Sequence, residues 1–263
     1  MIELPQIKHI IAVASGKGGV GKSTTAVNLA LALSLENKKV GLLDADIYGP
    51  SIQMMLAITE KPSGEQKAVN PIVKYTIETM SIAYFIDPET PAIWRGPMVS
   101  TALQQLCRDT QWGELDYLII DLPPGTGDIQ LTLSQKIPVT GVVIVTTPQD
   151  IAILDARKAL KMFQKVNVPV LGIIENMSLH QCSKCGHEEA IFGTGGASKM
   201  AEKFNIELLG QLPLDQKIRE AMDKGQPDLT VQYYKNIALK LINKLDKQSK
   251  LQSKLPKVVI KDK

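Results

Sequence analysis

The chain has 263 residues, 44% of them hydrophobic and 22% charged, which is enough for one large domain with a substantial core and too little for two. Its net charge of +3 arises at the C-terminus: residues 247–263 hold six lysines and one aspartate, so the remainder is at −2 and lacks the clustered Arg and Lys of a nucleic-acid-binding face. No apolar run is of membrane-spanning length, and Met1 to Lys8 carry neither a signal-peptide core nor an Arg-rich transit pattern, so a cytoplasmic protein without a membrane partner is expected.

In chain order, an apolar strand is predicted over 9–14. Gly16 to Thr24 follow as GKGGVGKST and lead into a predicted helix over 22–35, the strand–loop–helix setting of a phosphate-binding loop. Gly16, Gly18, Gly19 and Gly21 free the backbone so that N–H groups through Val20 turn inward at phosphate oxygens beside a helix N-terminus. Lys22 is placed to reach the β- and γ-phosphates, and Ser23 offers a hydroxyl to Mg²⁺, with Thr24 closing the motif. Lys17 is surplus to one cradle and is positioned to extend towards a neighbour's nucleotide, which predicts a homodimer. With that second lysine the loop resembles the deviant Walker A family of MinD/ParA-like P-loop ATPases, in which such a lysine crosses to the partner's phosphates.

The strand predicted over 39–44 ends in Asp44-Ala45-Asp46, followed by IYGPS. Asp46 resembles the family's switch aspartate that orients the attacking water, and Asp44 is expected to support the metal shell. Residues 57–71, rich in Lys, Pro, Gly and Glu, read as an exposed excursion before a strand over 77–85 and a helix over 97–109. In Trp94-Arg95-Gly96, the arginine reads equally as a nucleotide or dimer contact and as a surface residue stacked on Trp94. Cys107 reads as a buried packing thiol. The strand over 116–121 ends in Asp121, followed by LPPGTGD. This is the position of a Walker B carboxylate holding Mg²⁺, with Gly125 and Gly127 as switch glycines.

Helices over 127–136 and 150–165 alternate with strands over 140–147 and 168–175, and the continuous apolar runs YLIID and GVVIVTT fit strands buried on both faces. The fold class is α/β, a doubly wound, mostly parallel sheet flanked by helices. Ligands in such sheets bind at the carboxyl ends of strands, where these aspartates lie. Asn176, in GIIENMS, matches the family's base-contacting asparagine, and Leu212 with Pro213 matches the segment on the ring's other side, which implies ATP. A helix over 196–204, a strand over 206–211 and helices over 214–223 and 228–247 complete an ATPase domain at 1–246. Residues 247–263, interrupted by Pro256, read as a basic, solvated, partly disordered tail.

Cys182-Ser183-Lys184-Cys185 sets the chain apart. One C-x-x-C supplies half of the four thiolates that a [4Fe–4S] cluster or a Cys₄ zinc site takes, and a two-fold dimer brings the other half. An intrachain Cys₂His₂ zinc site with His180 and His187, and unliganded thiols, stand beside the cluster as alternatives. GKGGVGKST, DADIYGPS, WRGPM, LDYLIIDLPPGTGD, ENMS, CSKCG with IFGTGG, and LGQLPLD stand in the order seen in the Mrp-type (ApbC-like) iron–sulfur carrier ATPases. This resemblance spans about residues 5 to 235. It implies a homodimeric ATPase that binds a labile [4Fe–4S] cluster and delivers it to apo-proteins. Ser183 stands where the family often has proline, and the additional N-terminal domain of many members is not expected here. A MinD/ParA-type positioning ATPase is the alternative, though it needs neither Cys182 nor Cys185. A reductase component with a stable, reducible cluster is a third.

Overall fold

The computed structural model describes residues 2–65, 68–86 and 96–254, apart from the side chains of Pro97, Asp128 and 251–254. Trp94 and Arg95 lie outside the described residues. The chain begins with β1 (Ile7–Ser15), α1 (Lys22–Leu35), β2 (Val40–Asp44) and a single turn, α2 (Ile52–Met55). A small hairpin, β3 (Gly64–Glu65) and β4 (Ala68–Val69), precedes β5 (Ile72–Lys74) and β6 (Ile77–Ser81). Then come α3 (Gly96–Asp109), β7 (Leu115–Asp121), α4 (Asp128–Lys136), β8 (Gly141–Thr146), α5 (Asp150–Lys165) and β9 (Val170–Glu175). A second small hairpin, β10 (His180–Gln181) and β11 (Glu188–Glu189), leads to α6 (Gly196–Phe204), β12 (Leu208–Gln211), α7 (Gln216–Asp223) and α8 (Lys235–Lys254).

The central sheet has eight strands in the order β12-β9-β8-β1-β7-β2-β6-β5, and every pair is parallel except β5 with β6. This is the doubly wound α/β sheet read from the sequence. β1 is buried along most of its length, as apolar residues without alternation require in a strand covered on both faces. Contacts of α1 with α2 and α8, and of α2 with α7, make one helical layer; α3, α4, α5 and α6, packed in succession, make the other. Phe163 of α5 and Leu29 and Leu33 of α1 are wholly buried in the core between those layers and the sheet.

Several boundaries depart from expectation. The strand predicted over 77–85 stops at Ser81, whose hydroxyl accepts from Ala83 N–H at 3.1 Å and turns residues Ile82–Phe85 into a 3₁₀ turn. The helix predicted over 228–247 is preceded by two 3₁₀ turns, Pro227–Leu229 and Val231–Tyr234. As α8 it begins at Lys235 and continues to Lys254, across the 246/247 boundary drawn for a tail. α7 starts at Gln216 rather than 214 because Asp215 caps it, accepting from Lys217 N–H at 2.8 Å. The 57–71 excursion contains the β3–β4 hairpin.

Phe163→Ala leaves a cavity in this close-packed layer and is expected to lower the unfolding free energy by about 3–5 kcal/mol. Leu35→Ala, at a position 67% exposed, should change it by less than about 0.5 kcal/mol. Urea unfolding of both variants checks the pair.

Candidate functional site

The turn from β1 into α1 depends on glycine at positions 16, 19 and 21. Gly19 and Gly21 have φ of +80° and +82°. A Cβ on Gly16 would sit 2.1 Å from the Asp155 carbonyl carbon, so this glycine lets the loop lie directly on the backbone of α5. Ser15 Oγ donates to Lys17 O at 2.8 Å and fixes the loop's first bend. The loop encloses a cavity of about 210 Å³ lined by Lys17, Gly18, Gly19, Gly21, Lys22, Ser23 and Thr24 together with Ser15, Asp46, Ser51, Met55 and Pro124. It opens at the N-terminus of α1, where unpaired N–H groups and the helix dipole favour an anion.

At the back of the cavity Lys22 is buried. Its Nζ donates to Asp121 Oδ1 at 2.7 Å and to Asp46 Oδ2 at 3.3 Å. The sheet register brings these groups together: Asp44 at the end of β2 pairs with Asp121 at the end of β7, and Val13 of β1 pairs with Asp121 on the other side. Asp44 spends its oxygens on protein donors, accepting from Asp46 N–H at 3.1 Å, Ser81 Oγ–H at 3.1 Å and Ile52 N–H at 3.4 Å. It holds Asp46 in place from behind rather than facing the cavity. Burial, reinforced by the neighbouring Asp121 charge, pushes the Asp44 carboxyl up to about 7. Burial likewise raises Asp121, against the pull of Lys22. Asp121 Oδ2 is buried without a hydrogen-bond partner among the described residues. An unpaired carboxylate oxygen next to a serine hydroxyl is the donor set a hydrated Mg²⁺ takes, so these residues fit that ion.

Asn176 lies against the loop. Its Nδ2 donates to Val20 O at 2.9 Å and its Oδ1 accepts from Met177 N–H at 2.9 Å; a Cβ on Gly21 would come within 2.2 Å of Nδ2. Pro213 follows Leu212, whose carbonyl accepts from Ser178 N–H and Oγ–H, both at 2.9 Å. Lys17 lines the cavity mouth, half-buried, and among the described residues no carboxylate lies within 4.0 Å of its ammonium.

Cys182 and Cys185 sit apart from the cavity, at the tip of the β10–β11 hairpin. Cys182 N–H donates to His187 O, and Gly186 N–H to Cys182 O, both at 2.9 Å; Gly186 closes the turn with φ of +72°. The backbone N–H groups of Lys184 and Cys185 point at the Cys182 sulfur and hold its thiol below the ordinary value. Backbone donors in this arrangement favour the thiolate of Cys182. Cys185 is exposed, and among the described residues no group of three metal-ligating side chains converges. His180 Nδ1 is engaged with Leu214 O at 3.0 Å. Cys107, by contrast, is wholly buried in α3, and burial pushes its thiol up to about 12.

A family model described as ParA, NUBPL iron-transfer P-loop NTPase matches residues 6–248. The chain belongs to that family. It is 61% identical over 225 residues to the iron-sulfur cluster carrier protein of Escherichia coli K12, covering 84% of this chain and 60% of that protein. Over 252 residues it is 50% identical to the iron-sulfur cluster carrier protein of Methanocaldococcus jannaschii, covering 92% and 87%. The nucleotide-binding protein of Archaeoglobus fulgidus in complex with ADP superposes with a TM-score of 0.75 at 38% identity, over 85% of this chain and 88% of that one. The cell division ATPase MinD of Pyrococcus furiosus, with a TM-score of 0.66 at 20% identity over 92% and 99%, shares the fold. The chain spans about 60% of the length of the Escherichia coli relative. Among the described residues no helix is long and apolar enough to cross a membrane.

Several residues of the site were not singled out in the sequence: Ser15, Ser51, Ser81, Met55, Pro124 and Glu175. Ser51 closes the quoted DADIYGPS run and Pro124 lies inside the LPPGTGD run; Ser81 carries no local signal, since only the β2–β6 pairing brings it to Asp44.

The raised Asp44 carboxyl gives a pH dependence with a definite sign. The folded chain holds this proton above the ordinary value of 3.8, so its contribution to stability is complete below about pH 4 and is lost as pH rises to about 7. Asp44→Asn should remove that component. Relative to the variant, the nucleotide-free protein is expected to lose up to about 1.4 kcal/mol per pH unit in this window, read by urea unfolding at stepped pH.

Proposed function

We propose that the chain is an ATP-hydrolysing carrier that binds a labile [4Fe–4S] cluster between two copies of itself and passes it to apo-proteins. The observation that carries this reading is the knuckle at Cys182 and Cys185: two closely spaced thiols, the first held below its ordinary value by backbone N–H groups, with no group of three metal-ligating side chains among the described residues, which makes a half-site that a second copy would complete.

Residues Gly16 to Thr24 cradle the phosphates of ATP, with Lys22 on the β- and γ-oxygens. Asn176 on one side and Leu212–Pro213 on the other hold the adenine, whose edge an amide can read. Ser23 and Asp121, with Asp44 behind them, would hold Mg²⁺, which when bound offsets charge building on the terminal phosphoryl. Asp46 accepts a hydrogen bond from the attacking water and orients it in line with the leaving ADP. Lys17, which has no carboxylate partner among the described residues, reaches the phosphates of the partner copy and stabilises charge there as the phosphoryl transfers.

Two measurements test the ATPase half. Lys22→Ala should abolish ATP binding, read by equilibrium titration. Lys17→Ala and Asp46→Ala should bind ATP yet lose turnover, on the order of 10³-fold for Lys17 by analogy with a charge supplied in trans. Wild-type turnover in the Lys17 variant would remove the crossing role.

Anaerobic reconstitution with iron and sulfide tests the cargo half. Absorbance near 400 nm with about four irons per dimer is expected. Cys182→Ser or Cys185→Ser should eliminate both signals and Cys107→Ser should leave them intact. A full cluster on a strictly monomeric species would defeat the shared site.

A further inference from the structure

The cysteine hairpin is fastened at its root to the segment that flanks the base on the proposed reading. On the ingoing side, Ser178 donates twice to Leu212 O, from N–H and Oγ–H at 2.9 Å each; Leu214 N–H donates to Leu179 O at 2.8 Å; His180 Nδ1 meets Leu214 O at 3.0 Å. On the outgoing side, the wholly buried Glu175 carboxylate accepts from Ala197 N–H in the first turn of α6 at 2.8 Å and from Gln211 Nε2 at 2.6 Å. The Glu175 carbonyl accepts from Leu212 N–H at 2.8 Å, closing the ring. Between the two roots stand only Asn176, fastened to the loop through Val20 O, and Met177, held at φ of +56° where non-glycine residues are uncommon.

From these contacts we infer that Ser178 and His180 are positioning residues that make the Cys182–Cys185 knuckle respond to nucleotide in the cavity. The inference rests on the reading of Leu212–Pro213 as one wall of the base site. A base seated there moves Leu212 and Leu214, and the carbonyls of those two residues are the acceptors on which the hairpin root is hung. His180 is two residues from Cys182, roughly 6–7 Å of extended chain, so a displacement of the root reaches the knuckle with little slack. Nothing else is needed to couple the sites, because the ladder is continuous from Val20 to His180. Coupling is also reciprocal: a ligand on the thiols must bias the base wall by the same factor.

The test uses the metal-free full chain and reads the thiols directly. Iodoacetamide alkylation of Cys182 and Cys185 is followed by mass spectrometry with and without Mg–ADP, the buried Cys107 serving as the silent internal control. In the wild type, nucleotide should change the alkylation rate by about fivefold or more, the lower end of ordinary site-to-site couplings. Ser178→Ala and His180→Ala should bring the ratio of the two rates towards one while Mg–ADP affinity stays within about twofold. His180→Asn, which places an amide nitrogen where Nδ1 stands, should keep most of the response. An unchanged ratio in both alanine variants, or no nucleotide response in the wild type, would overturn the inference. Failure of the cluster to load in the reconstitution above would defeat the carrier reading and leave this measurement, made without metal, as it stands.

Discussion

One buried ammonium facing three carboxylates sets the conditions for the rest of the site. Lys22 touches Asp121 and Asp46, while Asp44 stands one strand over, wholly buried and raised to about 7 by its surroundings. Burying charge costs several kcal/mol per ion unless partners compensate, and a single ammonium compensates only part of this cluster. The imbalance appears as a raised Asp44 carboxyl and as an Asp121 oxygen without a hydrogen-bond partner among the described residues. When a phosphate occupies the cradle, Lys22 has to exchange carboxylate for phosphate oxygens, and the deficit of positive charge behind it grows. A divalent cation arriving with the phosphate meets that deficit. On the proposed reading, a preference for a metal–nucleotide pair over either alone would follow from electrostatics already present in the polypeptide.

The sheet is what makes such crowding possible. Parallel strands β1, β7 and β2 run side by side, so their carboxyl ends come to one level, and register alone places Asp44 beside Asp121. β1 sits between β7 and β8, where strand order reverses and the edges of the crossovers leave a crevice. The glycine loop fills it because Gly16 lies on the backbone of α5 and Gly21 beneath Asn176 with no side chain between. Loop, strand ends and Asn176 are therefore fixed by the same core that stabilises the fold.

The parts of this architecture legible in the sequence are those in which one local signal dominates. Helices 22–35, 150–165 and 196–204 match residue for residue, since glycine punctuation or a polar boundary marks each end. The buried strands announced themselves as unbroken apolar runs. The reading failed where a side chain diverted the backbone, as Ser81 does in ending β6, and where short elements carry too few residues for periodicity, as in α2, β5 and the two hairpins. It failed again before α8, where Pro227 opens a 3₁₀ turn inside a pattern that read as one helix. At the site, the loop and both strand-end carboxylates were recognisable from spacing. That Asp44 turns its oxygens to Ser81, Ile52 and Asp46 was not, because those contacts depend on strand pairing and on a one-turn helix without a sequence signal.

The cysteine knuckle obeys a different constraint from the cavity. Backbone N–H groups hold the Cys182 thiol below its ordinary value, yet two cysteine ligands leave a four-coordinate centre half satisfied, and no group of three metal-ligating side chains converges among the described residues. On the proposed reading, closing that shell requires a second copy, so cargo affinity and dimer affinity become parts of one equilibrium. On the same reading Lys17, with no carboxylate within 4.0 Å among the described residues, would place a like demand on the nucleotide side by reaching phosphate across the interface. On that reading both ligands would draw on a single association step: whichever arrived first would contribute the cost of bringing the chains together, and the other would bind to an interface already formed. A carrier has to release what it carries. Tying cargo retention to a dimer whose second tether is cleavable by hydrolysis provides release without any change in the thiolate chemistry of the knuckle itself.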